Sequence, residues 1–231
     1  MNPDIAATSH KSIQLSAFRW VPPFAQGLVR ELRVRWALEE AGLPYRERLI
    51  GFEDQASASY RALQPFGQVP AYEEDGLAMF ESGAIVLHIA EQSEALMPLD
   101  PQGRARTKTW MFAALNTVEP PIMMLNELDS HERGDGGAKE IRAAVVERIE
   151  RRLTELSDAL HGRDYLEHRF TAADLLVTSV LRILRNTELL SGMPALVAYR
   201  SRCEARPAFQ KALADHMANF ARHTPPGQPS E

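Results

Sequence analysis

Residues 63–89, LQPFGQVPAYEEDGLAMFESGAIVLHI, constrain the fold more tightly than any other part of the chain. Gly67-Gln68 turns into Val69-Pro70, an X-Pro bond at the mouth of an expected strand. A proline there lacks the N–H that a ladder needs and admits a cis bond, so the pair fits an edge or a tight turn. Glu74-Asp75-Gly76 predicts a short hairpin into a second strand over 77–80, and Glu81-Ser82-Gly83 then opens an apolar helical run over 84–90. Ser82 is thereby placed at a helix N-terminus, where unpaired N–H groups and the positive end of the helix dipole attract a carboxylate. Taken alone, Ser82 also fits an ordinary N-cap worth about 1 kcal/mol of helix stability, and Pro70 a simple strand-initiating proline.

Upstream, residues 13–18 predict a first strand. A loop with Pro22-Pro23 and Gly27 follows, then a helix through Val29, Leu32, Trp36 and Leu38 that ends at Gly42-Leu43-Pro44, and a second strand over 46–50. Strand, helix, strand requires a crossover and so a parallel pair. With a short helix expected over 56–64, the first part reads βαβ followed by ββα, the thioredoxin-like order. Two prolines and a glycine within 93–103 mark a boundary, and beyond it the pattern is helical: 104–115, 122–128, 139–160, 171–190, 194–202 and 207–220. Pro120-Pro121 should kink or break the first of these. The expected units are a thioredoxin-like domain over 11–92 and an all-helical domain over 104–222, with residues 223–231 expected to be disordered.

In the second unit, Thr171 can cap a helix while Asp174 reaches back to its N–H, and Phe170 can staple onto Leu175. The run that follows, Leu175 to Leu184, is apolar nearly all round and predicts a buried helix.

Both motifs, in this order, resemble those of the cytosolic glutathione transferases, and the resemblance covers most of the chain. It implies a cis Val69-Pro70 bond, with Val69 pairing its backbone with the cysteinyl unit of glutathione. It implies that Ser82 and its helix N-terminus hold the γ-glutamyl carboxylate, that Glu81 faces the γ-glutamyl amine, and that Gln68 lies near the glycyl end. It further implies a homodimer and, as partners, glutathione and a small electrophile to which the glutathione thiolate is added. The T-x-x-D box belongs to folding rather than catalysis.

Composition narrows the field. The 231 residues carry a net charge of −5, with 45% hydrophobic and 25% charged residues. That is ordinary globular composition with no broad cationic field for nucleic acid or an anionic membrane. The arginines over 142–152 alternate with glutamates as on a solvated helical face. Neither a signal-like N-terminus nor a bilayer-length apolar run is present, so a soluble cytoplasmic protein is expected. Cys203 is the single cysteine and admits neither an internal disulfide nor a CxxC pair. His88 and His131 have no carboxylate or cysteine at ligand spacing, so no metal site is expected.

The chemistry is where the chain departs from the family pattern. Related enzymes place a Tyr, Ser or Cys after the first strand to lower a thiol pKa from about 8.5, and two units of lowering requires about 2.7 kcal/mol. Residues 17–44 contain no Ser, Thr, Tyr or Cys, and the activating position falls among Leu28 to Arg30. The remaining candidates are Ser16 at the strand end, the charge of Arg19, the indole N–H of Trp20, the amide of Gln26 and backbone N–H groups of the loop over 20–27; Arg30 can reach the ligand or sit on the helix surface. Trp110, Met111, Leu115, Met123 and Met124 are candidates to line an interdomain pocket. The sequence thus supports an enzyme and, as the alternative, a catalytically weak or inactive glutathione-binding interaction protein.

Overall fold

A computed structural model describes residues 12–130 and 136–223. His131 and residues 224–231 lie outside the described residues, as does most of the segment expected to be disordered. The first unit runs β1 (Ile13–Phe18), α1 (Glu31–Ala41), β2 (Arg46–Ile50), α2 (Ala58–Arg61), β3 (Ala71–Glu74), β4 (Leu77–Phe80) and α3 (Ser82–Glu91). The sheet order is β2-β1-β3-β4, with β1 parallel to β2 and antiparallel to β3, and β3 antiparallel to β4. This is the thioredoxin-like arrangement. The β3–β4 hairpin turns on Asp75 and Gly76, whose φ values of 48° and 89° are those a two-residue primed turn demands.

The second unit is helical: α4 (Pro101–Ala113), α5 (Glu119–Ser130), α6 (Gly136–Ala159), α7 (Ala172–Leu181), α8 (Pro194–Glu204) and α9 (Pro207–Arg222). Three expectations need correction. The helix expected over 56–64 is the single turn α2, because Ser57 adopts extended backbone and caps it by accepting from the Tyr60 N–H, and Pro65 restricts the residue before it. Instead of breaking at Pro120-Pro121, the chain passes from α4 to α5 through a π turn, Ala114–Val118. That register change accommodates two residues that cannot donate to the preceding turn. The helix expected over 171–190 tightens after Leu181 into a 3-10 segment, Arg182–Asn186.

The units share one core. Trp36 of α1 is fully buried and meets Phe209 of α9 at 4.7 Å and Phe170, just before α7, at 5.6 Å. Such ring pairs add about 0.5–1.5 kcal/mol each beyond the area they bury. The T-x-x-D box forms as expected: the Thr171 side chain accepts from the Ala173 N–H, and Asp174 accepts from the Thr171 N–H at 2.9 Å. Helix α7 is buried almost all round. No described helix is long and apolar enough to cross a membrane.

Candidate functional site

The Val69-Pro70 bond is cis. Val69 itself stands outside the sheet, since β3 begins at Ala71 and pairs there with Phe80. Its N–H and C=O make no backbone hydrogen bond among the described residues. A relay fixes this turn to the sheet: the Ala71 N–H donates to Ser16 Oγ at 2.6 Å, Ser16 Oγ meets Tyr60 Oη at 2.9 Å, and Tyr60 Oη donates to the Gln68 carbonyl at 2.6 Å. Because the Tyr60 proton is committed to Gln68, Ser16 donates to Tyr60. Burial pushes the Tyr60 phenol upward, partly offset by the hydrogen bond from Ser16.

On the other side of the groove, Ser82 is the buried first residue of α3. Glu81 precedes it at φ 68°, ψ 110°, a left-handed conformation that costs a non-glycine residue about 1–3 kcal/mol and is typical of functional sites. Beneath Ser82 lies a charged cluster between the two units. Arg33 Nη1 reaches Ser82 Oγ at 3.5 Å and Arg33 Nη2 reaches Glu119 Oε1 at 2.9 Å. Arg30 donates to the same Glu119 oxygen through Nη2 at 2.9 Å and Nε at 3.3 Å. Burial alone would raise the Glu119 carboxyl, but the charges and hydrogen bonds of Arg33 and Arg30 outweigh it and hold it below the ordinary carboxylate range.

A cleft with two lobes runs over this cluster. One lobe, 620 Å³, is lined by Glu81, Ser82, Met111, Leu115 and Met123 among others; the second, 680 Å³, includes Phe18, Phe24, Leu28, Val29 and Val69. Arg30, Arg33, Gln68, Glu119 and Met123 line both, so the lobes form one continuous groove. Of the expected lining residues, Met111, Leu115 and Met123 are present, whereas Trp110 packs against the core and Met124 lies exposed. A larger depression of 740 Å³ beside α9 contains none of these residues, and its Lys211 is already paired with Glu39 and Asp215.

The structure therefore brings together Gln68, Val69, Glu81 and Ser82, with Pro70 buried behind them. It does not bring Ser16, Arg19 or Trp20 to the groove, since none of the three lines either lobe. Ser16 is 2% exposed and its hydroxyl is spent in the relay. Arg19 is paired with Glu53 and Asp54 at 3.1 and 3.0 Å. Gln26 donates its amide inward to the Val21 carbonyl. The loop N–H groups of Ala25, Gln26 and Gly27 are likewise occupied, by Pro22 O, Pro23 O and His216 Nε2. His88, without a partner in sequence spacing, finds Glu74 across the fold. Among the described residues no group of three His, Cys, Asp or Glu is placed to hold a metal. Ser16→Ala is expected to lower stability by about 1–2 kcal/mol in a urea titration, because the buried Ala71 N–H loses its acceptor. An unchanged midpoint would remove the relay from the account.

This fold and groove define a thioredoxin-like domain joined to a helical domain with an interdomain cleft. Residues 25–91 match the family model of the glutathione S-transferase N-terminal domain, and residues 126–216 that of the glutathione S-transferase C-terminal domain. A glutathione S-transferase of Hyoscyamus muticus is 30% identical over 196 residues, covering 79% of this chain and 92% of the relative. Glutathione S-transferase alpha-2 of Rattus norvegicus is 28% identical over 186 residues, covering 78% and 81%. A glutathione transferase from Burkholderia graminis, crystallised with two glutathione molecules per subunit, superimposes with a TM-score of 0.76 at 26% identity over 90% of both chains. The chain belongs to the glutathione S-transferase family.

Proposed function

We propose that this protein is a glutathione transferase that binds glutathione along Gln68, Val69, Pro70, Glu81 and Ser82 and joins its sulfur to a small electrophile. The observation that carries the reading is that the N-terminus of α3 and the unpaired backbone of Val69 face one cleft. A tripeptide with a carboxylate at one end and an extended backbone needs those two features. Ser82 and the helix N-terminus take the γ-glutamyl carboxylate, reinforced by Arg33 behind Ser82. Glu81, held in its strained conformation at the rim, takes the γ-glutamyl amine, and Gln68 takes the glycyl end. The electrophile occupies the second lobe, where Phe18, Phe24, Leu28 and Met123 favour an apolar body and Asn126, Asn186 and Thr187 leave room for polar substituents on it. In this reading, detoxification of such electrophiles is the role of the protein, and residues 11–92 and 104–222 are its two working units.

Ser82→Ala is expected to weaken glutathione binding by about 1–2 kcal/mol, roughly five- to thirtyfold in Kd, for the loss of a charge-assisted hydrogen bond. Isothermal calorimetry measures it; unchanged affinity in the folded variant would take Ser82 out of the site. The missing hydroxyl at Leu28 to Arg30 favours a second reading, a glutathione-binding protein without turnover. The two separate on whether bound glutathione has a lowered thiol pKa. A homodimer fits the exposed rings of Phe66 and Phe80, which are 63% and 37% exposed with centroids 6.0 Å apart beside the edge strand β4. The buried, unpaired Cys203, its thiol pushed up to about 12 by burial, fits a reducing cytoplasmic compartment.

A further inference from the structure

We infer that Arg30 is the catalytic residue that stabilises the glutathione thiolate, in place of the hydroxyl or thiol that residues 17–44 lack, and that Glu119 positions it. The inference rests on the glutathione reading above. With the cysteinyl unit paired against Val69, the sulfur enters the lobe that Val69 shares with Leu28, Val29 and Arg30. Leu28 and Val29 offer only apolar side chains there. The two cations lining this lobe are Arg30 and Arg33, and they differ in availability. The Arg33 side chain is 6% exposed and lies between Ser82 and Glu119. The Arg30 side chain is 43% exposed. Its Nε and Nη2 grip Glu119, and its Nη1 has no hydrogen-bond partner among the described residues.

Charge decides between Arg30 and the neutral donors of the lobe, such as the Gln68 amide. A thiolate gains a full charge on ionisation, and an opposite charge within about 4–6 Å lowers an acid's pKa by about 1–3 units. A neutral amide contributes a single ordinary hydrogen bond. Arg30 and Arg33 share the lobe with the carboxylates of Glu119, Glu127 and Asp129. Asp129 is paired with Arg142 at 2.6 Å and Glu119 with both arginines, which leaves Arg30 Nη1 as the cationic donor without a partner among the described residues. The N-terminus of α1, which begins at Glu31, adds potential of the same sign. Glu31, in the first turn of the same helix, opposes part of it; its carboxylate is bonded at 2.8 Å to His216 Nδ1, an imidazole whose Nε2 accepts from the Gly27 N–H. In the reaction the thiol S–H bond breaks and its proton goes to solvent. The sulfur lone pair then forms the S–C bond, and the leaving group departs with the electron pair of its bond to carbon.

The test follows the ultraviolet absorbance of the thiolate against pH at saturating glutathione, with affinity by calorimetry and turnover with 1-chloro-2,4-dinitrobenzene, where chloride leaves. Arg30→Gln is expected to raise the thiol pKa of bound glutathione by about one unit or more. It should slow conjugation about tenfold below that pKa while changing glutathione affinity only a few-fold. Arg30→Lys, which keeps the charge but not the two-pronged grip on Glu119, is expected to restore part of the shift. An unshifted pKa in Arg30→Gln overturns the inference. So does a fall in affinity without a pKa change, which would put Arg30 on a carboxylate, or a shift produced by Gln68→Ala instead. Wild-type protein that fails to bind glutathione overturns the underlying reading, and is distinguished from these outcomes by the calorimetry.

Discussion

Replacing Glu119 with Ala is expected to destabilise the protein by about 3–5 kcal/mol, the range for leaving one member of a buried ion pair uncompensated. The Glu119 and Arg33 side chains are 7% and 6% exposed, and Glu119 Oε1 takes bonds from both Arg33 and Arg30. Without Glu119, the Arg33 guanidinium keeps its charge and loses its main acceptor. The same group makes stability depend on acid. Burial pushes the Glu119 carboxyl up, but Arg33 and Arg30 pull it further down, so its folded value lies below its unfolded one. The unfolded chain therefore binds the proton first. The contribution of Glu119 is complete above the ordinary carboxylate pKa of about 4.3 and is lost as pH falls through the lower folded value. Urea titrations at neutral pH and near pH 3 measure both effects, with the deficit of Glu119→Ala expected to shrink in acid. Glu119→Gln, which keeps the shape and one acceptor, is expected to fall between. Full stability of Glu119→Ala at neutral pH would mean that Arg33 finds solvent or another acceptor.

The cis Val69-Pro70 bond, the hairpin at Asp75-Gly76, Ser82 at a helix start and the Thr171–Asp174 box were all legible in the sequence. Each is a local demand: a residue type suited to a turn, a cap or a positive φ announces itself within a few positions. The start of α4 was a local signal that sequence reasoning missed: Asp100 accepts from the Gly103 N–H and Pro101 stands at the first helical position, so the helix begins inside the stretch expected to be a boundary and not at 104. The order of elements gave a parallel β1–β2 pair and the antiparallel hairpin without any long-range information.

The charged floor of the groove was not legible, because it joins α1 to α5 across 86 and 89 positions. Reading charge as exposure also misleads on α1. Glu31, Arg33 and Arg35 are all buried along with Leu32, Val34, Trp36, Ala37 and Leu38. The helix has no solvent face in this stretch, since α3, α7 and α9 all pack against it. Its charged groups are met from other elements: Arg33 by the carboxylate of Glu119, Arg35 by that of Glu47, and Glu31 by a hydrogen bond with His216 Nδ1. The usable signal was Arg33-Val34-Arg35-Trp36, alternating charges inside a helix that is apolar at every other position. Such a helix cannot turn all its charges to water, so partners must be built for them. The loop before α1 was misjudged for a similar reason. Its carbonyls at Phe24, Gln26 and Gly27 are held by Arg185 and Arg182 of the 3-10 segment after α7, so its conformation is set by the helical unit. Arg19, expected near the groove, answers instead to the acids at Glu53 and Asp54.

Asp174→Ala is expected to cost at least about 3 kcal/mol, and more than the loss of an ordinary helix cap, which is about 1 kcal/mol. The carboxylate is 0% exposed and does four jobs at once. Oδ1 accepts from the Leu166 N–H at 2.9 Å and from Tyr199 Oη at 2.8 Å, and Oδ2 accepts from the Thr171 N–H at 2.9 Å and Thr171 Oγ1 at 3.2 Å. It therefore ties the start of α7 to the loop before it and to α8. Truncation leaves two backbone N–H groups and a buried phenol without an acceptor, each costing about 1–3 kcal/mol. Asp174→Asn separates the two halves of the site. Its oxygen can keep Leu166 and Tyr199, but its NH₂ then opposes the Thr171 N–H, so about 1–3 kcal/mol is expected to be lost. The pH dependence runs opposite to that of Glu119. Burial pushes the Asp174 carboxyl up, and the hydrogen bonds from Leu166, Tyr199 and Thr171 offset this only in part. The folded state thus binds the proton more readily than the unfolded one, and this group favours the fold more as pH falls from neutral through its raised value. Denaturation of Asp174→Asn across that interval should lack this rise, whereas a parallel pH profile in wild type and Asp174→Asn would show that Asp174 does not titrate there.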